Sequence, residues 1–273
     1  MKYLIVTADD LGLTESINEG IAKAYREGIV KSVSVIAPGE AFEDAIKVIN
    51  DLKLKEIGPH LALTEVRPVL GSSKFYKSHN QFFVNFLLGR VDSGDVYEEL
   101  RAQLDLLKNT GVEITHINCH EHLHVVPKIL DIFIRLAKEY NIPAIRYPRG
   151  DRPPKKFLAG EIYKSSMLSF FSKKTKDIFR KSGLLYTDFF LGLLDAGLLD
   201  ENKLIEMFNG LNDGVTELVT HPGFLGPKVL EDYRWHMGGE TELFALTGAK
   251  IRNAVKANDI KLISYQDFLS IKK

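Results

Sequence analysis

The chain of 273 residues contains a single cysteine, Cys119. No intramolecular disulfide can form, and a reducing compartment is expected. Neither charge is in excess: 36 Lys and Arg balance 36 Asp and Glu. That balance removes the global attraction that draws basic proteins to nucleic acid or anionic membranes. No stretch approaches the roughly 20 uncharged apolar residues of a membrane helix. The opening "MKYLIVTADD" is apolar over too short a run for an export signal and then meets two acids. A cytoplasmic protein with no nucleic-acid and no membrane partner is the expectation. No repeat, low-complexity tract or linker divides the sequence. Residues 1–273 are therefore expected as one domain, large enough for a core without disulfides and near the roughly 250 residues of an α/β barrel.

Strand-like and helix-like segments alternate along the chain. "KYLIVTA" (2–8), "SVSVIA" (32–37), "IGPHLAL" (57–63) and "ITHINCH" (114–120) are short, apolar or β-branched runs, as in parallel strands covered on both faces. "AIRY" (144–147), "ELVTH" (217–221) and "KLISY" (261–265) read as later strands. Between them lie helical patterns: 15–27 closed by Gly28, then 41–52, 94–111, and 127–140 with Pro127 in its first turn. Such alternation predicts a parallel sheet, open or closed into a barrel. Two segments fall outside it. Residues 65–93 carry Phe75, Tyr76, Phe82, Phe83 and Phe86, and residues 148–183 hold Pro153, Pro154 and many lysines. Each reads as a lid or subunit contact, or as a satellite core.

Polar residues gather where these strands end. The first strand runs into Asp9 and Asp10, the third contains His60, the fourth reaches His120, and a later one ends at His221 in "THPGF". In parallel α/β sheets the carboxyl ends of strands share one face, where active sites are built. Adjacent side chains on a regular strand point apart, so Asp9 and Asp10 can share a site only if the pleat breaks there. One carboxylate could then hold a cation while its neighbour takes a proton. The bland alternative is a helix cap, but Thr14 and Glu15 stand ready for that.

Half of the eight histidines fall within nine residues: His116, His120, His122 and His124 in "HINCHEHLH". His120 is read as a metal ligand, with His122 and His124 lining the site or supporting the ligands, and His116 as structural. One carboxylate and two imidazoles with open positions make a hydrolytic metal site. The same set also suits non-haem iron oxygenases, so ligand types leave the reaction open.

The blocks "LIVTADDLGLTESINEGIAKAYREGIVKSVSVIAPGEAFEDAI", "GPHLALTEVRP", "THINCHEHLHVVPKIL" and "VTHPGF" together resemble the YdjC-like carbohydrate deacetylases, which include chitooligosaccharide deacetylases. The resemblance implies a distorted, TIM-like (β/α) barrel, a homodimer and a divalent metal, usually given as magnesium. Two histidines would suit zinc better. The family's ligands fall on Asp10, His60 and His120, with Asp9 in the general-base position. His221 lies where the more distant NodB-type deacetylases place their general acid. Arg146, in "RYP", matches the arginine that orients their base. The chain also departs from the family: Asn118 stands where an aspartate is usual, Glu121 where a third adjacent histidine is common, and "MGGETEL" (237–243) lacks an expected arginine.

The implied reaction removes the acetyl group from a small N-acetylated oligosaccharide. Asp9 acts as base, Arg146 as its orienter and His221 as acid, while Trp235 and the aromatics of 65–93 are available to stack on sugar rings. The rivals are a metal-dependent hydrolase of another amide or ester, an iron oxygenase on the same triad, and a carbohydrate-binding barrel without chemistry. A pure binding module would need no spare base at Asp9.

Overall fold

A computed structural model describes residues 1–71, 78–148, 159–193 and 195–272. Its strands are β1 (Lys2–Leu11), β2 (Ser32–Val35), β3 (Glu56–Leu61), β4 (Glu113–Ile114), β5 (His116–Cys119), β6 (Ala144–Ile145), β7 (Phe189–Leu191), β8 (Gly214–Thr220) and β9 (Ile260–Leu262). They run in the order β6-β5-β3-β2-β1-β8-β7, with β4 also on β3 and β9 also on β1. Every pairing is parallel. The sheet curls until its two edges nearly meet. There Leu185, just ahead of β7, makes a parallel bridge to Ala144 of β6. Ile145 N donates to Leu185 O and Leu185 N to Pro143 O, at 2.9 and 3.0 Å. The distorted β/α barrel implied by the family resemblance is thus present, with a thin seam between β6 and β7.

Period-two alternation sorts the side chains. Leu4, Val6 and Ala8 of β1 and Val33 and Val35 of β2 enter the main apolar core beneath the surrounding helices. Ile117, Cys119 and Ile145 enter a second core against the helices Ser93–Lys108 and Pro127–Glu139. Their neighbours in sequence face the barrel interior. At its floor Ile5, Ala144, Val215, Ile263, Tyr265 and Phe268 form a small apolar plug. Above the plug the interior turns polar, with Thr7, Glu217 and Arg146 joined by hydrogen bonds.

Three details differ from the sequence reading. The predicted strand 114–120 breaks at Thr115 into β4 and β5, each pairing with β3. β7 was not anticipated, since "FFL" is too short to show a period. Of the segment 65–93, Phe82 and Phe86 are buried in the second core with rings 5.8 Å apart, so this part is satellite core. Phe83 meets Phe171 of the helix Ala159–Lys181 edge-on at 5.6 Å, joining the two insertions. Phe75, Tyr76, Pro153 and Pro154 lie outside the described residues. His116 is buried and stacked on Tyr265 at 3.7 Å, the structural place expected for it.

Candidate active site

The pleat of β1 breaks at the aspartate pair. Ala8 pairs with Val33 and Leu11 with Val35, so β1 spends three residues where β2 spends two. This is a β-bulge, and Asp10 carries its strain at φ 74°. The extra residue brings both carboxylates toward the site instead of opposite faces. Neither acid is a helix cap: Thr14 Oγ1 accepts from Ile17 N at the start of the helix Glu15–Glu27.

Asp10, His60 and His120 converge from the ends of β1, β3 and β5. Asp10 Oδ1 lies 3.4 Å from His60 Nε2 and 3.4 Å from His120 Nδ1. The two imidazole nitrogens are themselves 3.4 Å apart. All three residues are buried, and both Asp10 oxygens lack a hydrogen-bond partner. Burial opposes charge here. Even so, the neighbouring imidazoles of His120 and His60 hold the Asp10 carboxyl well below its usual range. Burial lowers the His120 pKa as well, yet Asp10 and Glu65 outweigh it and push the imidazole up to about 10. The pocket therefore calls for positive charge, and His120 supplies it by holding a proton. A divalent cation fits the same three atoms and would displace that proton. His120 Nε2 is backed by Glu65 Oε2 at 3.2 Å, as metal-binding histidines commonly are, and the Asn118 amide lies 2.6 Å from His60 Nδ1.

Arg146 lies beneath this triangle with no solvent exposure. Its Nη1 and Nη2 donate to Asp9 Oδ2 and Oδ1 at 2.5 and 2.9 Å, and Nε donates to Glu217 Oε1 at 2.9 Å. Glu217 also accepts from Thr7 Oγ1 at 3.1 Å and from Tyr265 OH at 2.7 Å. Burial alone would raise the Asp9 carboxyl, but the guanidinium, with His60, carries it well below the ordinary range. Asp9 is thus held as an anion at rest, 3.7 Å from His60 Nδ1.

The remaining residues named from sequence divide. His221 follows β8, with its backbone N donating to Glu242 Oε2 at 2.6 Å and its Nδ1 buried and unpartnered. Burial holds this imidazole below its ordinary pKa. Trp235, 37% exposed, stands at the mouth with its ring 5.3 Å from His120 and 6.2 Å from His221. His122 turns under the site against Phe190, ring centroids 5.6 Å apart, at a positive φ of 56°. His124 does not line the cavity. It is fully buried between Phe133 and Phe179, and its Nε2 meets the Arg146 carbonyl at 2.9 Å. Its place is the supporting one: the chain reverses at Glu121 and His122, both at positive φ, which swings His124 beneath Arg146.

Sequence reasoning missed three neighbours of the site. Glu217 and Glu65 are described above. The third is His236, only 1% exposed, with both ring nitrogens unpartnered among the described residues and Nε2 3.8 Å from Asp10 Oδ2. Gly223 and Gly239 make its room, since a Cβ on either would stand 2.8 or 2.7 Å from its ring. The signal for Glu217 was available, because a carboxylate in mid-strand needs a partner as much as Asp9 does.

Removing the cation from this network should be costly. Arg146→Met leaves Asp9 and Glu217 buried without it, a loss of about 3–5 kcal/mol for comparable pairs. The folded Asp9 pKa lies below its unfolded value, so this stabilisation exists above the unfolded pKa and fades as pH falls through the folded one. In denaturant titrations the gap between Arg146→Met and wild type is expected to be widest near neutrality and to narrow below about pH 4. A gap independent of pH would contradict the assignment.

The family model described as YdjC-like protein matches residues 3–257. A carbohydrate deacetylase of Brevibacillus brevis is 30% identical, with 97% of this chain and 98% of that one aligned. One from Vibrio cholerae is 28% identical over 98% and 96% of the two chains. Among solved structures, an Enterococcus faecalis V583 protein provisionally described as cleaving cellobiose-phosphate superposes with a TM-score of 0.79 at 22% identity, covering 98% of each chain. A mutant CE4-family pseudoenzyme with restored activity shares the fold more distantly, with a TM-score of 0.50 at 11% identity over 97% of this chain and 66% of its own. On the match across nearly its whole length, the chain belongs to the YdjC-like protein family.

Proposed function

We propose that the chain is a cation-dependent N-deacetylase of small N-acetylated sugars, of the chitooligosaccharide type. The observation that carries this reading is the buried triangle of Asp10, His60 and His120 with a separate, clamped carboxylate beside it. The carbohydrate deacetylases among its relatives supply the substrate class. The two nitrogen donors favour a zinc-like ion over magnesium.

Asp10, His60 and His120 would hold a divalent cation, whose chemistry would be to lower the pKa of water and polarise an acyl oxygen. The chain's own groups do the rest. Asp9 accepts the proton of the attacking water, and each of its oxygens keeps a lone pair beyond its bond to Arg146. Arg146 fixes the direction of that carboxylate. His221 delivers a proton to the departing amine, and its lowered pKa makes the imidazolium a stronger acid once formed. Trp235 at the mouth offers a face for a sugar ring. The products are acetate and an amino sugar.

Incubation with N,N′-diacetylchitobiose and added zinc should release acetate, with mass spectrometry showing loss of an acetyl group. No loss from any N-acetylated sugar, together with turnover of an unrelated amide, would overturn the carbohydrate assignment. Two variants separate the roles. His120→Ala should stay folded and lose bound metal by elemental analysis. Asp9→Asn should keep its metal and lose turnover by roughly 10²-fold or more. Metal loss in Asp9→Asn with activity intact in Asp10→Asn would mean that the two aspartates exchange roles.

A further inference from the structure

The Asn118 side chain is held between four neighbours, two of which have fixed hydrogen-bonding roles. One end of its amide lies 2.6 Å from His60 Nδ1 and 3.2 Å from the Pro59 carbonyl oxygen. The other end lies 3.0 Å from Arg146 Nη2 and 2.7 Å from Ser34 Oγ. A carbonyl can only accept and a guanidinium can only donate, whereas the hydroxyl can do either. Pro59 therefore asks for the amide nitrogen at its end, and Arg146 asks for the oxygen at the other. With the nitrogen toward His60, Nδ1 of that imidazole must accept, and its proton moves to Nε2. Nε2 is the atom that faces Asp10 and His120. A protonated Nε2 donates well to a carboxylate but has no lone pair for a cation.

We infer that Asn118 biases His60 toward the tautomer that opposes metal binding. On this account the cation is bound only when the amide turns over and presents Oδ1 to a proton on Nδ1. Turning it over sets the amide nitrogen against Arg146 and its oxygen against the Pro59 carbonyl. Asp9 does not reverse the bias, because its Oδ2 lies 3.7 Å from His60 Nδ1, beyond hydrogen-bond reach. Asn118 is thus a positioning residue that weakens the site through His60. The inference rests on the cation site proposed above. An aspartate at 118 would accept from Arg146 at one end and from His60 Nδ1–H at the other, at the expense of the Pro59 contact.

Supporting partners of metal-bound histidines commonly alter affinity by about 10–100-fold. Asn118→Asp should accordingly bind zinc about 10-fold more tightly or better in calorimetric titration of the full chain. The ring nitrogens of His60, read by 15N NMR, give a second measure that does not depend on the variant. In metal-free wild type the proton is expected on Nε2, and zinc should move it to Nδ1. Equal or weaker zinc binding by folded Asn118→Asp overturns the inference. So does a proton already on Nδ1 in metal-free wild type, since any gain in the variant would then reflect added charge alone. Failure of both proteins to bind zinc at these residues removes the cation site, and this inference with it.

Discussion

The guanidinium of Arg146, buried between a carboxylate of β1 and one of β8, is the interaction on which the rest of this interior depends. Asp9 and Glu217 would otherwise face each other in a barrel with no water exposure at either side chain. Arg146 is the donor common to both, and its own carbonyl meets His124. Counting the buried groups Asp9, Asp10 and Glu217 against Arg146 leaves two negative charges in excess. A proton on His120, whose pKa Asp10 and Glu65 raise, would offset one of them. A divalent cation would offset both, so the charge of the interior and the geometry of the ligand triangle point to the same kind of occupant.

The bulge in β1 turns this charge pattern into a site. Without it Asp9 and Asp10 would alternate, one facing the barrel and the other the helical shell, where a carboxylate would be buried among Leu4, Val6 and Ala8. With it, Asp10 takes a left-handed backbone conformation that an L-residue adopts only at some cost. Strain of this kind persists when its surroundings over-determine it. Here β2 pairs on both sides of the irregularity, and Leu13 N bonds back to Asp10 O at 3.1 Å.

Much of this was legible in the sequence, for definite physical reasons. Parallel strands put their carboxyl ends on one face, so Asp10, His60, His120 and His221 could be gathered there without knowing how the sheet closed. The side-chain period of two separated Ile117 and Cys119 from His116 and Asn118. What stayed hidden depends on through-space partners. A lone His236 outside any strand has no period to reveal it. Glu65 reaches His120 only because its own backbone is at φ 66°. Among the described residues, closure of the barrel rests on one bridge at Leu185, where three residues of β7 give no pattern. His124 shares its spacing with His120 and yet turns the other way, because two residues between them adopt positive φ.

The central claim is that Asp10, His60 and His120 hold a divalent cation at the mouth of the barrel. Anomalous diffraction from crystals of zinc-loaded protein tests it most directly. The account requires one strong peak within bonding distance of Asp10 Oδ1, His60 Nε2 and His120 Nδ1, with Asp9 still paired to Arg146. A peak on other residues, or stoichiometric zinc with none at these three atoms, would contradict it.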